Sequence, residues 1–116
     1  MVLIVGGEGS GKRTFAQSLG YTPSQMADGV LDGSPVIFHV DQMVFKCPDS
    51  ADSLLEPLLK KAVVICNEVG SGVMPVDWQE RAGREATGRL CVRLAQKADC
   101  VVRMVAGIPT VIKGQL

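Results

Sequence analysis

Residues 2–14, VLIVGGEGSGKRT, place a short apolar run, a glycine-rich loop and a helix-compatible segment in direct succession. A phosphate-binding loop requires this order, because backbone N–H groups and a helix N-terminus then converge on one anion. Gly6, Gly11 and Lys12 fit the spacing G-x-x-x-x-G-K, but Arg13 stands where that pattern has Ser or Thr. The stretch therefore predicts an anion-binding loop without its usual magnesium-binding hydroxyl.

The candidate nucleotide-binding residues are those of the loop. Amide groups of residues 9–12 would hold a nucleotide phosphate or another polyanion, with the Lys12 ammonium as a point charge and a candidate catalytic group. Thr14 is a candidate magnesium ligand, although it is displaced by about 100° around the helix from the required direction. The other interpretation is a loop that binds nothing tighter than sulfate. The candidates are Gly6, Gly7, Glu8, Gly9, Ser10, Gly11, Lys12, Arg13 and Thr14.

Composition favours one domain, over residues 1–116, with no strong overall charge. Twelve basic and twelve acidic residues cancel, so no overall field attracts nucleic acid or an anionic membrane. The first apolar run is too short for a signal peptide or a membrane span, and we expect a cytoplasmic location. The four cysteines show neither C-x-x-C nor zinc-ligand spacing and are expected to be reduced thiols: Cys47, Cys66, Cys91 and Cys100.

Further apolar segments predict buried parallel strands over residues 36–40, 62–66 and 100–106. Asp41 stands immediately after the first of these, where many phosphate-loop proteins hold magnesium. It is therefore a candidate catalytic residue, nucleotide contact and magnesium ligand, and simple capping of the strand is the alternative. Asn67, Glu68 and Gly70 follow the second strand and are candidates for lining the substrate site or capping the next turn.

The segments between these strands predict helices. Residues 12–19 and a segment through residues 54–59 have helical spacing, and residues 25–31 have room for a turn or two. A long helix is predicted over roughly residues 76–98, where Arg84 belongs to a solvated face, a subunit contact or a phosphate contact. With a short edge strand over residues 110–113, the pattern predicts an α/β fold: a three-layer phosphate-loop NTPase-like (RecA-like) domain with a mainly parallel sheet of about four to five strands.

The segments NEVGSGVMP, GREATGRL and LAQKADCVVRMVAGIPTVIK closely resemble the carboxyl half of the bifunctional adenosylcobinamide kinase and adenosylcobinamide-phosphate guanylyltransferase family of cobalamin biosynthesis. The opening GGEGSGK also matches the GGxxSGK loop of that family. The positions in register are Asn67, Glu68, Val69, Gly70, Gly72, Pro75, Arg84, Gly88, Arg89, Leu94, Ala95, Ala98, Asp99, Val105, Gly107, Pro109 and Lys113.

The resemblance implies a trimer that phosphorylates the cobinamide hydroxyl with ATP or GTP, uses Mg²⁺, and then transfers GMP through a covalent guanylyl-histidine. Family members are longer, and the missing segment, before residues 36–41, normally carries that histidine. The only histidine here, His39, is predicted to lie inside a buried strand as a core residue. We therefore expect the guanylyltransferase activity to be lost. Cys91 and Val92 replace a polar pair that is common in the family.

Two functions follow from these observations. The first is an enzyme, a shortened adenosylcobinamide kinase whose partners are the nucleotide and the corrinoid substrate. The second is a catalytically degenerate module that binds nucleotide or another anion and acts by binding or assembly. Arg13 and the missing histidine segment separate both from a complete bifunctional enzyme.

Overall fold

The computed structural model describes residues 1–68 and 78–116, with the side chain of Gln79 excepted. Within these residues, helices separate most of the strands. The strands are β1 (Val2–Gly6), β2 (Met26–Asp28), β3 (Val36–Phe38), β4 (Val63–Asn67), β5 (Cys100–Val105) and β6 (Ile108–Lys113). However, β3 follows β2 and β6 follows β5 without a helix between them. The α-helices are α1 (Lys12–Ser18), α2 (Val40–Lys46), α3 (Leu55–Leu59) and α4 (Trp78–Lys97), and short 3-10 helices span Pro23–Gln25 and Pro48–Leu54.

The strands form one sheet in the order β2-β3-β4-β1-β5-β6. Neighbours from β2 to β5 are parallel, and β6 pairs antiparallel with β5 at one edge. The α/β, mainly parallel, phosphate-loop NTPase-like architecture is thus confirmed. Over the described residues the sheet has six strands rather than four to five, because β2 lies in the segment of residues 25–31, where the sequence has room for a helical turn or two and predicts no strand.

Helices cover both faces of the sheet. On one face, Val40 and Val44 of α2 and Leu90 and Leu94 of α4 are completely or almost completely buried against β1, β3 and β4. On the other face, Ala16 of α1 packs in a second cluster with residues of β1, β3, β4 and β5. The strands consequently carry apolar side chains on both faces, which explains their continuous runs of Val, Ile and Leu.

The strand predicted over residues 36–40 ends early. β3 stops at Phe38, His39 adopts the left-handed backbone conformation with φ 59°, and α2 begins at Val40. Two predictions are therefore wrong: His39 does not lie inside a buried strand, and Asp41 lies in the first turn of a helix rather than at a strand end. A short apolar run is compatible with either element, and here Val40 and Val44 use helical spacing to reach the core.

Other boundaries shift less. The helical segment before residue 60 is a 3-10 helix followed by the five-residue α3. The long helix is confirmed from Trp78 to Lys97, while its predicted first residues lie outside the described part of the chain. The edge strand starts two residues earlier than predicted, at Ile108, after a turn in which Ala106 and Gly107 have φ 50° and 78°.

Candidate functional site

The glycine-rich loop lies at the carboxyl edge of the parallel strands. The last residue of β1, Gly6, is in register with Asn67 of β4 and Met104 of β5. A Cβ atom on Gly6 would lie 2.6 Å from Ser10 Oγ and 2.7 Å from the Met104 carbonyl oxygen. The loop therefore closes onto the strand ends only because residue 6 has no side chain, and Gly11, with φ 91°, then leads into α1.

Lys12 is the buried cation of this loop, with 7% of its surface exposed. Its Nζ donates hydrogen bonds to the Gly7 carbonyl at 2.5 Å and to Ser10 Oγ at 3.4 Å. Burial lowers the pKa of Lys12, and the nearby carboxylates of Glu8 and Asp41 partly oppose that shift. None of the ion pairs formed by the described residues includes Lys12. Its ammonium is thus held by neutral oxygens and is available to an anion.

A cleft of about 270 Å³ opens beside Lys12. Its size suits a small polyanion or the phosphate end of a nucleotide. The loop forms one wall, and the ends of β3 and β4 form the other. The lining residues are Glu8, Gly9, Ser10, Gly11, Lys12, Arg13, Thr14, Phe38, His39, Ile65 and Asn67. Most of the candidate nucleotide-binding residues are therefore brought together, while Gly6 and Gly7 shape the loop behind them.

Arg13 lies at the wall of this cleft. The central carbon of its guanidinium is 4.7 Å from the centre of the Phe38 ring, within the range of a cation–π contact. The residue in the usual Ser or Thr position is thus a second cation, held in place by an aromatic ring. It adds positive charge to the cleft but has no oxygen with which to bind a metal ion.

His39 also lines the cleft, which the sequence did not predict. Its Nδ1 is 2.5 Å from Asp28 Oδ1 at the end of β2, and its ring packs edge-on against Phe38 with the centroids 4.7 Å apart. The left-handed backbone at residue 39 directs the imidazole out of the sheet and towards the loop side. Among the described residues, the imidazole is hydrogen-bonded through Nδ1 alone.

The two candidate magnesium ligands are separated. Thr14 lines the cleft, whereas Asp41 does not. Asp41 Oδ1 is buried and makes no hydrogen bond to any residue that the structure describes. The Asp41 carboxylate nevertheless acts on Lys12 through its charge. Thr14 and Asp41 therefore do not form a magnesium site together in this cleft. A metal ion bound there would depend on oxygens of a bound nucleotide.

Asn67 and Glu68 have different roles at the end of β4. The Asn67 side-chain amide donates a hydrogen bond of 2.6 Å to Glu8 Oε2 in the loop. Glu68 instead accepts hydrogen bonds of 2.8 and 3.3 Å from the guanidinium of Arg103 on β5. Asn67 therefore belongs to the cleft. Glu68 faces a neighbouring cavity on the α4 side of the sheet.

Arg84, a further candidate, does not line the cleft. Arg84 lies on α4 and contacts Glu80 Oε1 at 3.4 Å, one helical turn away. Gly70 lies outside the described residues. Arg84 is therefore positioned as part of a charged helix surface within the described structure.

Residues 36–112 match the family described as cobinamide kinase / cobinamide phosphate guanyltransferase. The chain belongs to this family. A curated relative, the bifunctional adenosylcobalamin biosynthesis protein of Salmonella typhimurium (strain LT2), is 43% identical over 53 residues, which cover 46% of this chain and 29% of the relative.

The family match begins at β3, includes His39, Asn67, α4 and β5, and ends at Ile112 in β6. The glycine-rich loop precedes the matched residues. A candidate role for the loop in anion binding consequently rests on the geometry of the loop, above all on the buried Lys12. In the part of the chain that the structure describes, no helix has the length and apolar character needed to cross a membrane.

A second cavity of about 320 Å³ lies between α4 and the sheet of this family member. Most of its lining is apolar and comes from β1, α4, β5 and β6. No local sequence pattern indicates this cavity, because its residues come from distant parts of the chain. The lining residues are Leu3, Val5, Asn67, Glu68, Gly88, Cys91, Val92, Ala95, Val101 and Ile112.

Proposed function

We propose that this family member binds ATP or GTP at the glycine-rich loop and transfers the terminal phosphate to the hydroxyl group of adenosylcobinamide. The observation that carries the proposal is Lys12, a buried ammonium without a carboxylate partner among the described residues, at the base of a cleft rich in glycine amides. A buried cation of this kind gains most from an anion that replaces its neutral hydrogen-bond acceptors.

In this reaction the acceptor oxygen forms a bond to the terminal phosphorus while the bond to the bridging oxygen breaks. The nucleoside diphosphate leaves, and the hydroxyl proton passes to solvent or to a base. Lys12 and Arg13 would stabilise the charge on the phosphate oxygens, and the loop amides would fix their positions. Asp41 would act at a distance by favouring the protonated form of Lys12.

Magnesium belongs to the proposal as a companion of the nucleotide. Mg²⁺ commonly retains water and binds phosphate oxygens with few protein ligands. Thr14 is the hydroxyl that lines the cleft next to Arg13. The roles of Lys12 and Arg13 do not depend on a metal bound by Asp41.

The substrate side of the proposal uses the end of β4. Asn67 reaches the cleft through Glu8, and Glu68 lies at the adjoining apolar cavity. We propose that these residues, together with Gly70, line the corrinoid site, and that Arg84 contributes to a phosphate or subunit contact. A cytoplasmic location remains part of the same proposal.

A homotrimer is the proposed assembly. Large apolar side chains are exposed along the sheet edge and the neighbouring helix, with Ile108 at 67%, Ile112 at 59% and Val92 at 59% exposure. An edge strand that presents such residues is suited to contact with another chain. This observation supports assembly through β6 and α4 without fixing the number of subunits.

His39 supports a second candidate function, transfer of GMP through a covalent histidine. The expected loss of this activity had two grounds: the missing segment that carries the histidine in the family, and a core position for His39. Only the second is removed, because Asp28 contacts the His39 ring beside the glycine-rich loop. Incubation with GTP followed by intact-mass analysis tests this candidate. An added GMP group that is absent from His39→Ala supports it, and unmodified protein counts against it.

A catalytically inactive binding module is the remaining alternative. It is favoured by Arg13, which removes the hydroxyl expected next to Lys12. This alternative retains nucleotide binding but produces no phosphorylated corrinoid.

Titration calorimetry with ATP and GTP, in magnesium and in a chelator, tests the main proposal. Lys12→Ala is expected to weaken binding at least tenfold, because it removes the buried cation. Lys97→Ala, which removes an exposed lysine from the last turn of α4, should leave affinity unchanged. Absence of binding at millimolar nucleotide would refute both the kinase and the binding module, and binding without phosphate transfer to adenosylcobinamide would favour the module.

A further inference from the structure

Two cysteine sulfur atoms meet beneath the end of β4. Cys66 Sγ and Cys91 Sγ are 3.3 Å apart. Cys66 is completely buried in β4, and Cys91 is half-buried on α4. We propose that this pair is a modification site, at which a peroxide converts the two thiols into an intramolecular disulfide between the sheet and α4.

The distance between the sulfur atoms makes this bond accessible. A disulfide has a sulfur–sulfur length of about 2.05 Å, so the atoms must approach by about 1.3 Å from their observed separation. β4 is paired on both sides, with β1 and β3. The approach of the two sulfur atoms is therefore easier through a movement of α4, because α4 packs on the sheet through side chains and not through strand pairing.

The apolar cavity beside α4 gives an oxidant access to Cys91. Cys91 lines this cavity of about 320 Å³, together with Val92 and Ile112. Those two neighbours are each 59% exposed, which means that the cavity opens to solvent. A small uncharged oxidant such as hydrogen peroxide suits an apolar entrance of this size, whereas a large charged disulfide such as oxidised glutathione does not.

The chemistry proceeds in two balanced steps. The Cys91 thiolate attacks one oxygen of hydrogen peroxide, the O–O bond breaks, and the departing hydroxide takes a proton to leave as water. Cys91 is then a sulfenic acid. Cys66 Sγ attacks Cys91 Sγ, the S–O bond breaks, and the hydroxide leaves as water with the Cys66 proton. Two thiols lose two electrons in total, and one peroxide is reduced to two waters.

The environments of the thiols favour this order. Hydrogen bonding to Cys66 lowers the pKa of Cys91, whereas burial and the charges of Asp41 and Glu68 act in the opposite direction. The same contact, together with burial, raises the pKa of Cys66 well above its usual range. Cys91 is therefore the first thiol to react, and the inaccessible Cys66 is the resolving thiol.

The other two cysteines provide internal controls. Cys47 is exposed after α2, so a peroxide reaches it readily. Cys100 is buried in the cluster on the opposite face of the sheet. Among the described residues, the one hydrogen bond between two cysteine sulfur atoms joins Cys91 to Cys66, and Cys47 and Cys100 are free thiols. If proximity decides which disulfide forms, neither Cys47 nor Cys100 will take part in an intramolecular disulfide.

Peptide mapping of the full chain after peroxide treatment and alkylation tests the proposal. We expect a peptide that joins Cys66 to Cys91, reversal by dithiothreitol, and a melting temperature that is several degrees higher because the crosslink restricts the unfolded chain. Cys91→Ser should lose the crosslink and the thermal shift, whereas Cys47→Ser should retain both. Circular dichroism before oxidation checks that each variant is folded.

The wild-type peptide map does not depend on the folding of any variant. Complete oxidation of Cys47 without a Cys66–Cys91 peptide would overturn the proposal. Crosslinked material that consists only of dimers joined through Cys47 would overturn it equally. These results are independent of whether the loop binds nucleotide.

Discussion

The Asn67 side-chain amide donates a hydrogen bond of 2.6 Å to the Glu8 carboxylate, and so joins the end of β4 to the middle of the glycine-rich loop. This contact places an acidic residue at the rim of a cleft that contains Lys12 and Arg13. The charge of Glu8 favours the protonated form of Lys12. The same negative charge also opposes the approach of a phosphate.

Glu8→Gln is therefore expected to strengthen polyanion binding. The amide keeps the length of the side chain while removing the charge, and the expected gain in affinity for tripolyphosphate is about two- to fivefold, since interactions between partly exposed charges are modest. Titration calorimetry at low ionic strength measures it. Glu56→Gln, an exposed change on α3, is the control and should have no effect. Weaker binding in Glu8→Gln would show that the carboxylate itself contributes to the site.

The lowered pKa of Lys12 predicts how anion affinity depends on pH. An anion binds the protonated amine, so affinity should remain constant below the pKa of Lys12 and fall above it. Burial moves that pKa below the ordinary value of 10.5, and the fall should accordingly begin at a lower pH than for an exposed lysine. The free energy of unfolding changes with pH in the opposite direction. The unfolded chain binds the Lys12 proton more tightly than the folded chain does, so Lys12 makes the protein more stable as pH rises from its folded pKa to its unfolded pKa.

Calorimetric titrations with tripolyphosphate from neutral to alkaline pH check the binding profile. Lys12→Arg is the control, because its guanidinium remains charged throughout this pH range. Any change in the charge of tripolyphosphate with pH affects both proteins equally. The alkaline fall should be smaller in Lys12→Arg. Identical profiles would mean that the anion does not contact Lys12.

The sequence predicted the elements whose patterns are local. The loop at Gly6 to Lys12, the strands β1, β4 and β5, and the long helix α4 each carry their signal in consecutive residues. Apolar residues on both faces of those strands correctly indicated a covered parallel sheet. The three-residue strand β2 was missed because so short a segment has no detectable alternation, and its pairing with β3 decides its structure.

The arrangement of the site residues also depends on contacts that no local sequence pattern reveals. His39 was assigned to a core strand because it stands between apolar residues, but a single left-handed residue ends β3 and rotates the imidazole into the cleft. The polar pair His39-Asp41, which flanks the first residue of a helix, was the one available hint of that boundary. The contact between Cys66 and Cys91 had no local signal, since the two residues are 25 positions apart.

Arg13→Ser is expected to make nucleotide binding depend on magnesium. Serine supplies the hydroxyl that is missing next to Lys12 and removes the cation held over Phe38. Affinity for ATP measured in magnesium and in a chelator should be similar for the wild type and clearly different for Arg13→Ser. Arg89→Ser, an exposed change on α4, serves as the control. If Arg13→Ser shows no metal dependence, other features of the cleft prevent metal binding.

Two glycines of α4 give opposite predictions for the same substitution. A Cβ atom on Gly83 would lie 2.8 to 2.9 Å from three atoms of the Phe45 ring on α2, whereas a Cβ atom on Gly88 would meet nothing within 4 Å. Alanine favours a helix interior over glycine by about 1 kcal/mol, but overpacking costs about 1–3 kcal/mol. Gly88→Ala should therefore raise the free energy of unfolding, and Gly83→Ala should lower it. Urea denaturation measures both changes, and the dependence of the free energy of unfolding on urea concentration should be the same in all three proteins. Stabilisation by both substitutions would mean that Phe45 moves aside easily, and that α2 and α4 are less tightly packed at Gly83 than their contact implies.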